Sequence, residues 1–267
     1  MTRKRFTLAS VAIVLTLQGC RAEQTESAPE NQRPPESPTT RPANSAKAPP
    51  RARKAFVPLK LNIPKHISCC PKRPWSEEPN VEEFSRKSLH ERPAFMVPTG
   101  TANLAANRPV SSNELLPVIG ELEMITDRDN RTDDGNYVDI GFGLKWIQID
   151  LEQSAPIYAI VVWHNWRQGQ FYTIYRDVIV QVSDDPEFKR NVRTLFNNDH
   201  DNSSELGRGK DKGYVASRYG KIIDAGGVRV RYIRLYSNGN SNNDRNLYTE
   251  VAVYGLGKTK PPPPPEQ

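Results

Sequence analysis

The stretch WIQIDLEQSAPIYAIVVW, residues 146–163, decides the fold of this chain. Apolar and polar residues largely alternate over its first six positions, as expected of a strand with one buried face. After a short polar segment, its last seven positions are almost continuously apolar, which is typical of a buried strand. We therefore predict two strands here, residues 144–151 and 157–164.

More segments of strand length follow toward the C-terminus. They are rich in Val, Ile and Tyr, and they are bounded by Asp, Asn, Gly or Pro. The segments are residues 177–183, 192–196, 228–237 and 248–255. No segment between them has helical periodicity over three turns. The pattern predicts an all-β sandwich over residues 101–257, a size that suits one two-sheet core.

Six motifs follow one another through this region: NLAANRPV, ITDRDNRTDDG, WIQIDLEQSAPIYAIVVW, DVIVQVSDDPEF, VRYIRLYSNG and YTEVAVYG. Together they resemble the discoidin, or coagulation-factor C-terminal type, domain. In bacteria this fold is shared with family 32 carbohydrate-binding modules. The resemblance implies a galactose-binding-like jelly roll of two antiparallel sheets, with ligand-binding loops at one end.

The most charge-dense stretch of the chain is ITDRDNRTDDGNY, residues 125–137. A calcium loop of the EF-hand kind is excluded here. Started at Asp127, it would have Arg131 where an oxygen ligand is needed and Val138 in place of the final Glu.

The discoidin resemblance implies a different calcium site, built from this loop and a Glu near the last strand. On that pattern Asp127 and Glu250 would supply carboxylate oxygens, and Thr132 would supply its hydroxyl. Backbone carbonyl groups would complete the site, those of Met124, Asp129, Thr132 and Thr249. Such an ion would be a structural cofactor.

The competing interpretation of this stretch is a solvated turn, in which Asp and Asn cap the backbone. Calcium is favoured because two segments more than a hundred residues apart together supply the oxygen ligands that it requires. The remaining residues, Asp133 to Gly135, are assigned to a turn.

Three loops are candidate ligand-binding segments: residues 163–175, 197–213 and 237–246. Sugar recognition combines an aromatic face with planar amide, carboxylate and guanidinium groups. The side chains of this kind are His164, Trp166, Arg167, Tyr172, His200, Asn240 and Arg245. Each could instead serve only the structure of its own loop, and Trp163 is assigned to the core.

Catalytic motifs are missing from the sequence. It contains no G-x-S-x-G, no H-E-x-x-H and no phosphate-binding loop. Spacing identifies no carboxylate pair for glycoside hydrolysis either. We therefore expect a protein that is not an enzyme, with an accessory subunit of a hydrolase as the weaker alternative.

The basic character of the chain lies outside the predicted sandwich. The whole chain has a formal net charge of +6, yet residues 101–257 contain 18 basic and 21 acidic residues. Nineteen of the 23 prolines also lie outside this region. A basic surface for nucleic acid is not supported, and no nucleic-acid partner is expected.

The first twenty residues have the layout of a bacterial lipoprotein signal peptide. Basic residues at positions 3–5 precede an apolar segment, residues 6–17, that is too short to span a membrane comfortably. The sequence LQGC, which ends at Cys20, resembles a lipobox, in which the Cys is lipidated. An ordinary signal peptide with a coincidental Cys is the main alternative, and an uncleaved signal anchor is the minor one.

The remaining segments are poor in regular structure. Residues 21–54 predict a disordered, Pro-rich tether, and residues 258–267 predict a stiff Pro-rich tail. Residues 55–100 predict an extended arm against the sandwich, with at most one short helix. The adjacent Cys69 and Cys70 lack the spacing of a zinc site, which leaves a vicinal disulfide, a disulfide to another chain or an exposed pair of thiols.

These features together predict a binding protein that is exported across the inner membrane and anchored to a membrane by its lipid. It would lie in the periplasm or at the outer-membrane or cell surface. Its discoidin-like module would bind a glycan or polysaccharide. The alternative is an adhesive or structural envelope module that binds protein partners.

Overall fold

The computed structural model describes residues 55–64, 80–82, 92–132, 135–166 and 173–259. Several predictions concern residues outside these ranges: the signal peptide with Cys20, the tether, the Cys69–Cys70 pair, most of the short helix, the Pro-rich tail, and the ligand candidates Arg167 and Tyr172. Within the described ranges, no helix has the length and apolar character needed to cross a membrane.

Ten β-strands and one short 3-10 helix make up the regular structure of the described residues. The strands are β1 (Phe56–Pro58), β2 (Met96–Pro98), β3 (Ala102–Asn103), β4 (Val110–Ser112), β5 (Val138–Phe142), β6 (Lys145–His164), β7 (Ile179–Ser183), β8 (Arg193–Asn197), β9 (Lys221–Ser237) and β10 (Arg245–Gly255). The 3-10 helix spans Leu122–Thr126 and lies between β4 and β5.

The strands of the sandwich pair antiparallel in the order β3-β10-β6-β9-β7-β8, with β4 added on β6 and β5 added on β10. The first part of β6 pairs with β4 and with the last part of β9. Its last part pairs with β10 and with the first part of β9. The two long strands therefore run through both sheets, and the predicted all-β jelly-roll sandwich is confirmed.

The two strands predicted in the opening stretch are the two halves of β6. The register between β6 and β9 shifts between Asp150 and Ala155, so the polar segment bends the strand without ending it. A second register shift lies between Ile157 and Ala159, where the facing part of β9 contains Gly226 and Gly227, with φ angles of 58° and 79°. Such angles favour glycine, so β9 can form a bulge there.

The alternation of the opening stretch places its apolar residues in the core. Ile147 and Ile149 of β6, with Ile233 and Leu235 of β9, are fully buried between the sheets. Successive side chains of a strand point to opposite faces, so a polar residue such as Gln148 remains outside the core cluster.

Parts of the arm lie against the outer face of the sandwich. β1 pairs with β2, and Leu59 and Leu61 pack on a small apolar cluster formed by Val161, Trp163 and Ala252. Arg92 donates a hydrogen bond of 3.0 Å to the carbonyl oxygen of Gly220. Trp163 is 2% exposed, in agreement with its assignment to the core.

Candidate functional site

The loop after the 3-10 helix is folded around its own aspartates. The carboxylate of Asp127 accepts the backbone N–H of Asp129 at 2.7 Å, and that of Asp129 accepts the backbone N–H of Arg131 at 3.0 Å. Arg128 lies between them with a φ of 76°, in the left-handed region. These local hydrogen bonds hold a tight turn, and the backbone N–H of Arg128 donates to Oε2 of Glu250 at 3.0 Å. The loop and β10 therefore meet at Glu250.

Glu250 is a buried carboxyl group with an incomplete set of partners. The residue is 2% exposed, and its Oε1 has no hydrogen-bond partner among the described residues. Burial raises the pKa of Glu250 well above its ordinary value, and the nearby charge of Asp127 raises it further. The hydroxyl of the adjacent Thr249 is also buried without a partner there. A carboxylate in this position is costly unless a proton or a cation neutralises it.

The residues around Glu250 fit a hard cation. Burial also raises the pKa of Asp127, so a second carboxyl group here is poorly compensated by the protein. The guanidinium of Arg131 holds the pKa of Asp129 below its ordinary value, which leaves the backbone carbonyl of Asp129 as its natural ligand atom. Thr132 is buried beside them at 8% exposure. Carboxylate, hydroxyl and carbonyl oxygens are the set that calcium binds in proteins.

A pocket of about 280 Å³ lies elsewhere, where the 173–177 turn, the 198–213 loop and residues 80–82 of the arm meet. Its apolar lining residues are Val81, Ile174 and Tyr175, of which Tyr175 is almost fully buried at 1% exposure. The polar side chains that line it include Asp177, Asn198, His200, Asp201 and Ser203. The pocket therefore presents apolar carbon and several hydrogen-bonding groups to the same volume.

Hydrogen bonds between loops fix the shape of this pocket. Oδ2 of Asp177 accepts the hydroxyl of Ser203 and the side-chain amide of Asn238, both at 2.9 Å. Oδ1 of Asn198 accepts the backbone N–H of Val178 at 2.6 Å. Three separate segments are thereby tied together, and the pocket is formed before any ligand enters.

The carboxylates of Asp177, Asp199 and Asp201 each place an oxygen within 4.8 Å of the others, close enough to hold a metal ion. Asp199 is fully buried and accepts the backbone N–H groups of Ser203 and Ser204 at 3.1 and 2.9 Å, together with the Ser204 hydroxyl. Burial alone would raise the pKa of Asp199, but these hydrogen bonds outweigh burial and lower the pKa. The buried member of this group is thus satisfied by its own loop.

His164, which the sequence marks as a ligand candidate, lies in the core at the end of β6. Its ring stacks on Tyr175 with the centroids 4.0 Å apart, and its Nδ1 lies 3.0 Å from the hydroxyl of Tyr214. Burial lowers the pKa of His164 to about 3, so the ring is neutral at ordinary pH. Trp166 is also buried, at 7% exposure.

Asn240 organises its own loop. It is fully buried, donates to the carbonyl oxygen of Arg245 at 2.6 Å and accepts the backbone N–H of Asn242 at 2.9 Å. The guanidinium of Arg245 forms an ion pair with the buried Asp139 and lies 4.5 Å from the ring centre of Phe142. Asn240 and Arg245 therefore both make contacts that stabilise the fold.

Among the described ligand candidates, His200 alone lines the pocket. His164, Trp166 and Asn240 are buried, and their roles as ligand contacts stay predictions. The pocket residues that sequence reasoning missed are Asp177, Asn198, Asp201 and Ser203. Asp201 is next to His200 and was within reach of a sequence argument, whereas Asp177 and Asn198 depend on contacts between distant segments.

The sequence matches no protein-family model and no curated protein. Among solved structures, it is similar to chitosan-binding module 1 of a chitosanase/glucanase from Paenibacillus sp. IK-5, with 17% identity, 58% of this chain and 99% of that chain covered, and a TM-score of 0.42. It is also similar to CpGH89CBM32-4 from Clostridium perfringens in complex with GlcNAc-α-1,4-galactose, with 16% identity, 60% and 97% covered, and a TM-score of 0.40. A fucose-binding module of Streptococcus pneumoniae has 13% identity, 57% and 97% covered, and a TM-score of 0.40. Because these scores and identities are low, we draw no conclusion from them about the ligand of this chain.

Proposed function

We propose that this protein is a non-catalytic carbohydrate-binding protein, and that the pocket beside the 198–213 loop binds one sugar residue. The observation that carries the proposal is the pocket itself, in which Val81, Ile174 and Tyr175 face polar side chains from the neighbouring loops. A pyranose ring has an apolar face of C–H groups and a rim of hydroxyls, and this arrangement is complementary to both.

The size and preorganisation of the pocket support the same proposal. Its volume of about 280 Å³ lies near the lower end of the range for small-molecule sites, which suits one ring better than a longer chain. The fixed orientations of Asp177 and Asn198 mean that little side-chain entropy is lost on binding.

The carboxylates of the pocket also support a binding role over catalysis. Of the two carboxylates that line it, Asp177 accepts two hydrogen bonds from neighbouring loops, and Asp201 accepts the backbone N–H of Ser203 at 3.1 Å. Groups engaged in this way hold the loops in place. A glycoside hydrolase would need one carboxyl group kept protonated and a second free to act as nucleophile or base.

We further propose that Asp127, Thr132 and Glu250 hold a structural calcium ion, with the carbonyl groups of Met124, Asp129 and Thr249. The unpartnered Oε1 of Glu250 supports this proposal. The ion would neutralise the buried carboxylate of Glu250. It would also link the loop after the 3-10 helix to β10.

A glycan array probed with the full chain, followed by titration calorimetry with the best sugar, tests the proposed binding. Asp201→Asn is expected to weaken binding by about tenfold, because a charge-assisted hydrogen bond to a hydroxyl is lost. Asp184→Asn is the matched control, since Asp184 is an exposed aspartate beyond the other end of β7.

If the wild-type chain binds no glycan on the array, the carbohydrate proposal is refuted. The alternative, an adhesive module that binds protein, is then favoured. Equal binding by the wild type and Asp201→Asn would place the sugar outside this pocket.

The predicted lipid anchor at Cys20 also remains a proposal, supported by the LQGC sequence and the basic residues before it. Labelling of the expressed protein with a fatty-acid analogue tests it. The label should enter the wild type and be missing from Cys20→Ser. Equal labelling of both would reject lipidation at this residue.

A further inference from the structure

We propose that the N-terminal arm is part of the binding site, and that Val81 of the arm is a residue that determines which sugars the pocket accepts. This inference rests on the proposed carbohydrate function. It goes beyond that function because it assigns a binding role to a segment outside the β-sandwich.

The backbone fixes the position of Val81. The N–H of Gly213 donates to the carbonyl oxygen of Asn80 at 2.9 Å, and the N–H of Glu82 donates to the carbonyl oxygen of Gly213 at 2.8 Å. These two bonds lie on either side of Val81, which pairs with Gly213 in a parallel bridge. Val81 is thus attached to the 198–213 loop as a strand residue is attached to its neighbour.

Val81 of the arm and Ile174 of the sandwich come together beside Gly213. A Cβ at this position would lie 3.4 Å from Cγ2 of Val81 and 3.8 Å from Cγ2 of Ile174. The two apolar side chains therefore converge over a residue that has no side chain of its own. Together they form the apolar side of the pocket, one from the arm and one from the sandwich.

Two charged side chains that follow Val81 in the sequence hold the arm on the sandwich. Glu82 forms an ion pair with Lys221, whose ammonium lies 5.3 Å from the ring centres of both Phe196 and Tyr214. Arg92 donates to the carbonyl oxygens of Tyr219 and Gly220 at 3.5 and 3.0 Å. The arm is therefore attached to the start of β9 at two points. These attachments favour an arm that stays in place beside the pocket over one that moves freely.

The chemistry of Val81 determines what the pocket can discriminate. Val81 offers methyl groups and no hydrogen bond, opposite polar side chains such as Asp201 and Ser203. A sugar would place its C–H face on Val81 and Ile174 and its hydroxyls toward the loop. The bulk of the residue at position 81 then sets the room for a substituent on that face.

The experiment uses the full chain with Val81→Phe, Val81→Ala and Val57→Phe, each analysed on a glycan array and by thermal unfolding. Phe at position 81 fills the pocket and is expected to weaken binding of the best sugar by about tenfold or more. Val57→Phe makes the same change in the same arm on β1, and it is expected to bind as the wild type does.

Wild-type binding by Val81→Phe would overturn the inference and leave the carbohydrate function standing. No binding by the wild type would instead overturn the function. If Val81→Phe does not fold, Val81→Ala decides, because it cannot overfill the pocket. An altered order of preference among sugars in Val81→Ala supports the inference, and an unchanged order rejects it.

Discussion

Two regions of this molecule bury a carboxylate, and they treat it in opposite ways. In the 198–213 loop, Asp199 is fully buried and accepts hydrogen bonds from two backbone N–H groups and one hydroxyl. At the meeting of the 124–132 loop with β10, Glu250 is buried almost as deeply. Its Oε2 accepts the backbone N–H of Arg128, while its Oε1 has no partner among the described residues.

The difference shows whether each buried carboxylate needs a proton or a cation to neutralise it. The pKa of Asp199 is lowered and that of Glu250 is raised, although burial acts in the same direction on both. A carboxylate surrounded by donors stabilises its own loop, whereas one without them is stable only with a proton or a cation.

The first prediction concerns Asp199→Ala. This change removes the acceptor for the backbone N–H and the hydroxyl of the buried Ser204, whereas the exposed Ser203 keeps the carboxylate of Asp201 as an acceptor. We expect the free energy of unfolding to fall by about 3 kcal/mol or more, measured by urea denaturation. The exposed Asp184→Ala should change it by less than about 0.5 kcal/mol. A loss below about 1 kcal/mol for Asp199→Ala would show that the loop does not depend on this carboxylate.

The second prediction concerns calcium and Glu250→Gln. A calcium concentration about a hundredfold above the dissociation constant should stabilise the wild type by about 2.7 kcal/mol. For a domain of this size the Tm should rise by about 5–10 °C. Glu250→Gln should lose this response. Without calcium it should be at least as stable as the wild type, because a neutral amide carries no buried charge.

Glu123→Gln is the matched control for calcium, since Glu123 is an exposed acidic residue of the nearby 3-10 helix. It should respond to calcium as the wild type does. An unchanged wild-type Tm in excess EDTA and in excess calcium would contradict the proposed metal site.

The third prediction concerns pH and His164, a buried ionisable group whose pKa is lowered by burial. Its pKa is about 3 in the folded chain against an ordinary value of 6.5, so below pH 6.5 the unfolded chain binds a proton that the folded chain does not. Its contribution to stability is therefore complete above about pH 6.5 and decreases as the pH falls toward 3. At pH 5 the loss should be about 2 kcal/mol.

Urea midpoints of the wild type and His164→Gln, measured between pH 5 and pH 7.5, test this dependence. The comparison cancels the contribution of Glu250, which has the opposite sign, because its raised pKa makes the calcium-free protein less stable as the pH rises above 4.5. Identical slopes for the two proteins would exclude His164 as the cause.

The fourth and smallest prediction concerns Arg131→Ala. The guanidinium of Arg131 neutralises the carboxylate of Asp129 beside the proposed calcium ligands. Its removal should increase calcium affinity by about two- to fivefold, the effect of an exposed ion pair. Titration calorimetry measures this change, and Arg193→Ala, at an exposed position in β8, should leave the affinity unaltered. A weaker affinity in Arg131→Ala would show that Arg131 supports the loop more than it opposes the ion.

The fold was largely predictable because strand signals are local. The alternation around Ile147 and Ile149 survives as the buried face of β6, and the predicted segments at 177–183, 192–196 and 248–255 each overlap an observed strand. The bend between Asp150 and Ala155 was read as an interruption, because a bulge and a turn use the same polar residues.

The two candidate sites differ in how far the sequence could reveal them. Asp127 and Glu250 lie in motifs with a characteristic order, and the structure brings Glu250 to the loop through Arg128. The pocket depends on Val81 and Ile174, two apolar residues nearly a hundred positions apart, and no local pattern indicates that they meet. The burial of His164 and Asn240 by neighbouring segments leaves no mark on the sequence around them, so a sequence pattern cannot separate a buried polar residue from an exposed one.

The packing of Leu59 and Leu61 over Trp163 has a consequence for how this module could be transferred between proteins. A gene fusion that starts at residue 101, where the β-sandwich was predicted to begin, would leave an apolar surface on the outside of β6 and β10 open to water. It would also remove Arg92 from the carbonyl groups at the start of β9. A fusion that keeps this surface covered must therefore include the arm, so its first residue should lie near residue 55.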